Sequence, residues 1–183
     1  HAIESWLTRD AAEFELNGDP DPGYSGRNRV TTMFAKASVE LCFEHLEKSY
    51  DSPSDLDART GMAYASLLAA FSYGSAGLNA VHGIAYALAG LTHASHGSTN
   101  AVLLPYVMDA LIPHRTLELA EIARLAGIQG NDNNELARAA PVRVHQLVTK
   151  LGIPKNLENF GVARDQLQTM IADGLAVTRL AKA

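Results

Sequence analysis

Two histidines, His82 and His96, lie in the apolar stretch from residue 77 to residue 108, and a glycine follows each of them. Burying an imidazole without a hydrogen-bond partner costs free energy, so this pair needs a partner. One interpretation is a shared Zn²⁺ or Fe²⁺ ion, because neutral imidazole is a common ligand of both metals. The other is a pair of histidines at helix ends, each hydrogen-bonded to backbone carbonyl groups. The two residues and their spacing leave both interpretations open.

Two predicted elements would position these imidazoles. Residues 74–89 are almost all apolar, which predicts a buried helix that carries His82 and, one turn later, Tyr86. Residues 93–100 are polar and predict a turn that carries His96. We expect this turn to fold back and to bring the second imidazole beside the first.

The remaining pattern predicts an all-α fold. Apolar residues recur at helical spacing, and no segment alternates for long enough to indicate a sheet. Seven or eight helices are expected, with Thr31 or Thr32 and Ser54 as N-caps and a kink or break at Pro105. Besides the helix over 74–89, the expected helical segments are 1–16, one beginning near 31, 54–73, 101–111, 117–126, 135–151 and 163–180.

Composition excludes several kinds of protein. The chain has 183 residues and a net charge of −5, which leaves no basic surface for nucleic acid or an anionic membrane. A single cysteine, Cys42, excludes a disulfide within the chain and favours a reducing, cytoplasmic location. No apolar run is long enough for a membrane span. Since the first residues, HAIESWLTRD, resemble neither a natural start nor a signal peptide, we expect a piece of a longer protein.

Longer stretches around the two histidines resemble the C-terminal half of the iron-containing (group III) alcohol dehydrogenase family. The segment AGLNAVHGIAYALAG, followed by HASHGSTNAVLLPYVM, is similar to that family's AGLGAVHAxAHxLG and PHGxxNAxLLPxVM. Three further stretches agree in order and spacing: HAIESWLTR, DLDARTGMAYASLLAA and KLGIPKNLENFGV. The resemblance therefore covers nearly the whole chain.

This resemblance implies a fold and a ligand set. The fold is a multi-helix, bundle-like domain similar to the α domain of dehydroquinate synthase, here covering residues 1–183. The family binds one divalent metal through an aspartate and three histidines, and the matching positions are His1, His82 and His96. The aspartate would lie four residues before His1, outside the chain. The resemblance implies Fe²⁺, with Zn²⁺ as the alternative.

The resemblance also implies a reaction. It is the metal-dependent oxidation of a small-molecule alcohol, or reduction of an aldehyde or ketone, with NAD or NADP as hydride carrier. Tyr86 would act at the catalytic site and, with Tyr73, would line the nicotinamide or substrate pocket; a role as core aromatic residues stays open for both. The family's N-terminal α/β nucleotide-binding domain is absent from the chain, so the piece alone is expected to be inactive. A homo-oligomer is expected.

Three alternatives stay open. The chain could be a non-catalytic helical domain that serves assembly. A P-x-Y-x-G-x-N pattern in residues 20–28 is similar to the hydroxyacid–oxoacid transhydrogenase branch, in which Arg27 or Arg29 would bind a substrate carboxylate. The amino group and imidazole of His1 could also chelate copper.

The remaining histidines are assigned simpler roles. His93 is read as an exposed turn residue, with a proton relay as the alternative, because it lies three residues before His96. For His45, His114 and His145 no companion occurs at metal-binding spacing. These three are expected to be surface or capping residues.

Overall fold

The computed structural model describes residues 1–13 and 23–177, and this part of the chain is built from helices. Eight α-helices follow one another, so the all-α prediction is confirmed, and three short 3₁₀ turns accompany them. The helices are α1 (Ala2–Leu7), α2 (Arg29–Asp51), α3 (Leu56–Ala76), α4 (Ala80–Thr92), α5 (His96–Ala110), α6 (Thr116–Leu125), α7 (Asn133–Lys150) and α8 (Leu167–Leu175). No helix of these two ranges is long and apolar enough to cross a membrane.

The first helix is shorter than predicted. It ends at Leu7, because the next residue, Thr8, takes an extended conformation. The Thr8 hydroxyl donates to the carbonyl of Ser5. The chain then pairs with a later segment, because Ala11 N–H donates to the carbonyl of Arg27 over 2.8 Å. The predicted helix over 1–16 is therefore wrong beyond Leu7, and its last three residues lie outside the described ranges.

Local capping side chains set where the helices begin. Asn28 caps α2, and its side chain accepts from the N–H of Thr31 while the Thr31 hydroxyl accepts from the N–H of Asn28. Asp55 rather than Ser54 caps α3, and Ser95 caps α5. The predicted N-caps at Thr31 or Thr32 and at Ser54 are therefore wrong. The side-chain oxygens of Asn28 and Asp55 reach the free N–H groups instead.

Two predicted boundaries around the candidate site also change. The helix expected over 74–89 is divided, because α3 continues to Ala76 and α4 begins only at Ala80. Gly77 makes the turn between them with a φ of 92°. His96 is the first residue of α5 rather than a member of a turn, and α5 runs through Pro105 without a break.

The core consists of two apolar clusters joined by α5. One surrounds the buried Trp6 and draws its side chains mainly from α1, α2, α5, α6 and α7. The other lies between α4, α5 and the C-terminal segment, where α8 packs on α4. The last helix is shorter than the predicted 163–180, since α8 covers Leu167–Leu175 and follows a 3₁₀ turn at Arg164–Gln166; residues 178–180 lie outside the described ranges.

Candidate metal centre

Three imidazoles meet at the starts of three helices. His1 immediately precedes α1, His82 lies in the first turn of α4, and His96 is the first residue of α5. One ligand nitrogen from each lies within 4.8 Å of the other two. Their ring centroids are 4.6 Å apart for His1 and His82, and 5.1 Å apart for His82 and His96. The structure therefore brings together residues that lie 14 to 95 positions apart in the chain.

The spacing of these nitrogens fits one metal ion. The Nε2 atoms of His1 and His82 are 3.1 Å apart. Two nitrogens bound to one ion at about 2.0–2.1 Å would be about 3.0 Å apart at a right angle and about 3.3 Å apart at a tetrahedral angle. The observed separation lies between these values, so an ion could bind both nitrogens with little movement of either ring.

Burial differs among the three rings. His82 is 1% exposed and forms the floor of the cluster, whereas His1 and His96 are open to solvent. Partial desolvation lowers the pKa of His96, and the unfavourable electrostatic interaction with the neighbouring His82 lowers it further. A lowered pKa favours the neutral imidazole, which is the form that binds metal.

Two tyrosines flank the cluster. The Tyr73 ring lies 4.7 Å from the His1 ring, and the Tyr86 ring stacks on His96 at 6.3 Å with 22° between the planes. Tyr86 is 40% exposed. Both side chains therefore border the open side of the cluster, where they could contact a small molecule.

A buried carboxylate that the sequence analysis missed lies behind His82. Glu4 is 2% exposed, and one of its oxygens accepts hydrogen bonds from the backbone N–H groups of Asn79 and His82, while the other contacts Nδ1 of His82. A local signal for burial existed, because Glu4 lies one helical turn after His1 in α1, whose other residues are apolar except for Ser5. A carboxylate at such a buried position needs hydrogen-bond partners inside the protein.

The other candidate residues lie outside the cluster. His93 ends α4 in the left-handed conformation, with a φ of 54°, and its backbone N–H donates to Ala89. His145 packs against Tyr106, and His45 is half-buried beside Gly61. His114 is exposed. None of these four belongs to the group of metal-binding side chains found among the described residues.

The predicted carboxylate-binding arginines also have other surroundings. The Arg27 guanidinium forms a 2.6 Å ion pair with Glu118 and donates to the carbonyl of Trp6. Arg29 is the exposed first residue of α2. Since Arg27 already holds a carboxylate of this chain, it fixes the loop to α6 rather than offering a free guanidinium.

Comparison with known proteins identifies the family of this chain. Residues 24–182 match the model of the Fe-containing alcohol dehydrogenase family, C-terminal. Long-chain-alcohol dehydrogenase 1 of Geobacillus thermodenitrificans is 34% identical over 182 residues, which cover 98% of this chain and 42% of that protein. The 1,3-propanediol dehydrogenase of Klebsiella pneumoniae is 34% identical over 164 residues, which cover 88% of this chain and 38% of that protein.

A solved structure agrees with these matches. The crystal structure of a 1,3-propanediol oxidoreductase superposes with a TM-score of 0.87 at 32% identity, covering 99% of this chain and 44% of that one. The chain thus spans about two-fifths of the length of the relatives that it matches. By both sequence and fold, the chain belongs to the Fe-containing alcohol dehydrogenase family and corresponds to its C-terminal part.

Proposed function

We propose that this chain is the metal-binding part of a metal-dependent, NAD(P)-linked alcohol dehydrogenase. The observation that carries the proposal is the convergence of the imidazoles of His1, His82 and His96 within 4.8 Å. Three neutral nitrogen ligands suit a divalent transition metal, and either Fe²⁺ or Zn²⁺ fits such a set. Fe²⁺ is the ion that the family name favours.

A bound divalent ion would supply Lewis-acid chemistry, stabilising negative charge on the oxygen of an alcohol or carbonyl substrate. The chain's own residues have the task of orienting what binds. His82 forms a rigid floor because it is buried and hydrogen-bonded, whereas His1 and His96 form the accessible rim. Tyr73 and Tyr86 provide aromatic surfaces on two sides of the rim, suited to a nicotinamide ring or the carbon chain of a substrate.

Names of relatives support an alcohol as substrate. They include a 1,3-propanediol dehydrogenase of Citrobacter freundii, an NADPH-dependent butanol dehydrogenase of Clostridium saccharobutylicum and an NAD-dependent methanol dehydrogenase of Bacillus methanolicus. Both nicotinamide cofactors occur among these names, so we propose NAD or NADP without choosing between them. We further propose that the whole enzyme is a cytoplasmic homo-oligomer, in which an N-terminal α/β domain binds the nucleotide.

Metal binding by matched histidine variants tests the proposal. Purified chain is titrated with Zn²⁺ and, under anaerobic conditions, with Fe²⁺, and each affinity is measured by competition with a chromogenic chelator. His82→Ala and His96→Ala each remove one ligand, and we expect each to weaken binding by more than about 100-fold, a larger loss than a change behind a ligand causes. His93→Ala is the control, because it removes a histidine three residues from His96 but outside the cluster.

The expected result is one ion per wild-type chain, the same for His93→Ala, and little binding by the other two variants. Unchanged binding by either cluster variant would contradict the ligand assignment. Activity is measured as alcohol-dependent formation of NADH or NADPH on a version extended upstream by the proposed nucleotide-binding domain. A metal-loaded extended protein without turnover on any small alcohol would instead support the non-catalytic alternative.

A further inference from the structure

Glu4 is a buried carboxylate whose place in the fold ties two helices to the candidate metal centre. It lies on α1, and its three hydrogen-bond donors all come from the first turn of α4 or the residue before it. We propose that Glu4 is a positioning residue that holds His82 in the tautomer with the proton on Nδ1, so that the lone pair of Nε2 faces the metal. This inference rests on the proposed function, because it concerns the same site.

The carboxylate satisfies donors that a helix leaves free. The first N–H groups of α4 have no partner within the helix, and the Asn79 side chain does not cap them. One Glu4 oxygen instead accepts from the backbone N–H of Asn79 over 3.0 Å and from that of His82 over 3.2 Å. Glu4 therefore caps α4 from a position 75 residues earlier in the chain.

The second carboxylate oxygen contacts Nδ1 of His82. An ionised carboxylate presents only acceptors, so this contact assigns the ring proton to Nδ1. Nε2 is then left with its lone pair. It faces the Nε2 of His1 at 3.1 Å, and in the metal-free protein it would accept a hydrogen bond from that nitrogen.

The geometry also separates Glu4 from the ligand set. Nδ1 and Nε2 point to opposite edges of the imidazole ring, and Glu4 occupies the Nδ1 edge, whereas His1 lies at the Nε2 edge. Glu4 therefore cannot reach an ion bound by Nε2 of His82. Its effect on the metal passes through the ring, as a carboxylate that orients a ligand histidine and raises its basicity.

A near-isosteric substitution should reverse the tautomer. In Glu4→Gln the amide oxygen would stay with the two backbone N–H donors, because turning it would place an NH₂ group against them. The NH₂ group would then face Nδ1 of His82 and donate to it, which moves the ring proton to Nε2. Size and hydrogen-bond count are conserved, but the nitrogen that should bind metal is blocked.

Imidazole ¹⁵N chemical shifts of the metal-free protein test the tautomer directly. We expect a protonated Nδ1 at His82 in the wild-type chain and a protonated Nε2 in Glu4→Gln. Glu118→Gln is the matched control, because Glu118 is also a partly buried carboxylate with a partner, Arg27, but lies outside the cluster. A protonated Nε2 in the wild type, or the same tautomer in wild type and Glu4→Gln, would overturn the inference.

Metal affinity gives the second readout. We expect Glu4→Gln to bind Zn²⁺ about 10–100-fold more weakly than the wild type, whereas Glu118→Gln keeps wild-type affinity. Glu4→Asp keeps the carboxylate and is expected to recover part of the loss. Equal affinity of Glu4→Gln and wild type would also overturn the inference. If the wild type bound no metal, the proposed function would fail, while the chemical shifts would still decide the tautomer.

Discussion

Replacing Gly77 with alanine should destabilise the turn that leads into the candidate metal centre. Gly77 ends α3 with φ 92° and ψ −178°, and its N–H donates to the carbonyl of Tyr73. This backbone conformation is almost restricted to glycine, and holding another residue in it costs about 1–3 kcal/mol. A Cβ at this position would also meet the Tyr24 ring at 2.6 and 2.7 Å, which is far inside normal contact.

The two effects act together. Since the atoms nearest to the new Cβ belong to the base of the Tyr24 side chain, the whole ring must move, and overpacking of this kind costs about 1–3 kcal/mol. We therefore expect Gly77→Ala to lower the free energy of unfolding by about 2–6 kcal/mol, the sum of the two costs. That is a large part of the 5–15 kcal/mol typical of a domain.

Gly74→Ala is the control within the same helix. Gly74 lies in α3 with no atom within 4 Å of its would-be Cβ, so alanine should stabilise the helix by about 0.5–1 kcal/mol. Urea unfolding followed by circular dichroism gives both free energies. Zn²⁺ affinity should fall only for Gly77→Ala, because Asn79 and α4 follow directly. Unfolding of Gly77→Ala within about 0.5 kcal/mol of the wild type would refute the reasoning.

Two further variants test packing and charge. Gly61→Ala places a methyl group against the ring of His45, and we expect it to destabilise the α2–α3 contact by about 1–3 kcal/mol, with partial recovery in a double variant that also carries His45→Ala. Glu47 accepts hydrogen bonds from Lys150 and Arg143, which lower its pKa in that order. Because the pKa of Glu47 is lower in the folded than in the unfolded state, its ion pairs stabilise the fold at neutral pH. This stabilisation is lost as the pH falls below the unfolded-state pKa of about 4.3 and through the lower folded-state pKa. Glu47→Gln should therefore cost less than about 1 kcal/mol in urea unfolding at pH 7, and this difference should disappear in acid; a difference independent of pH would count against the ion pairs.

Periodicity predicted the helical fold because helix faces are repetitive and local. For the stretch around His82 the signal is instead its almost continuous apolar character, which predicts a buried helix but gives a start six residues before that of α4. The start of a helix depends on which side-chain oxygen reaches the free N–H groups. Serine and aspartate are both favoured N-cap residues, so the sequence alone does not choose between the adjacent Ser54 and Asp55. The structure resolved that choice for α3 in favour of Asp55.

The cluster of His1, His82 and His96 could be anticipated only through the family resemblance. Spacing alone left the second and third of these histidines with two interpretations and did not connect them to His1, which lies 81 positions before His82. Even the family resemblance did not predict the role of Glu4, because its contacts with Asn79 and His82 form only when α1 packs against α4. Contacts between distant segments carry no local sequence pattern.

The position of the three histidines at helix starts creates an electrostatic requirement. Helix N-termini carry partial positive charge, so three of them pointing at one place disfavour a bound cation. The buried carboxylate of Glu4 lies at the start of α4 and accepts from the backbone N–H groups of Asn79 and His82, which offsets this charge where His82 enters the cluster. The same side chain therefore supplies the cap of the helix, the tautomer of the His82 ring and a negative charge behind a ligand. A neutral cap such as glutamine could replace only the first of these three contributions.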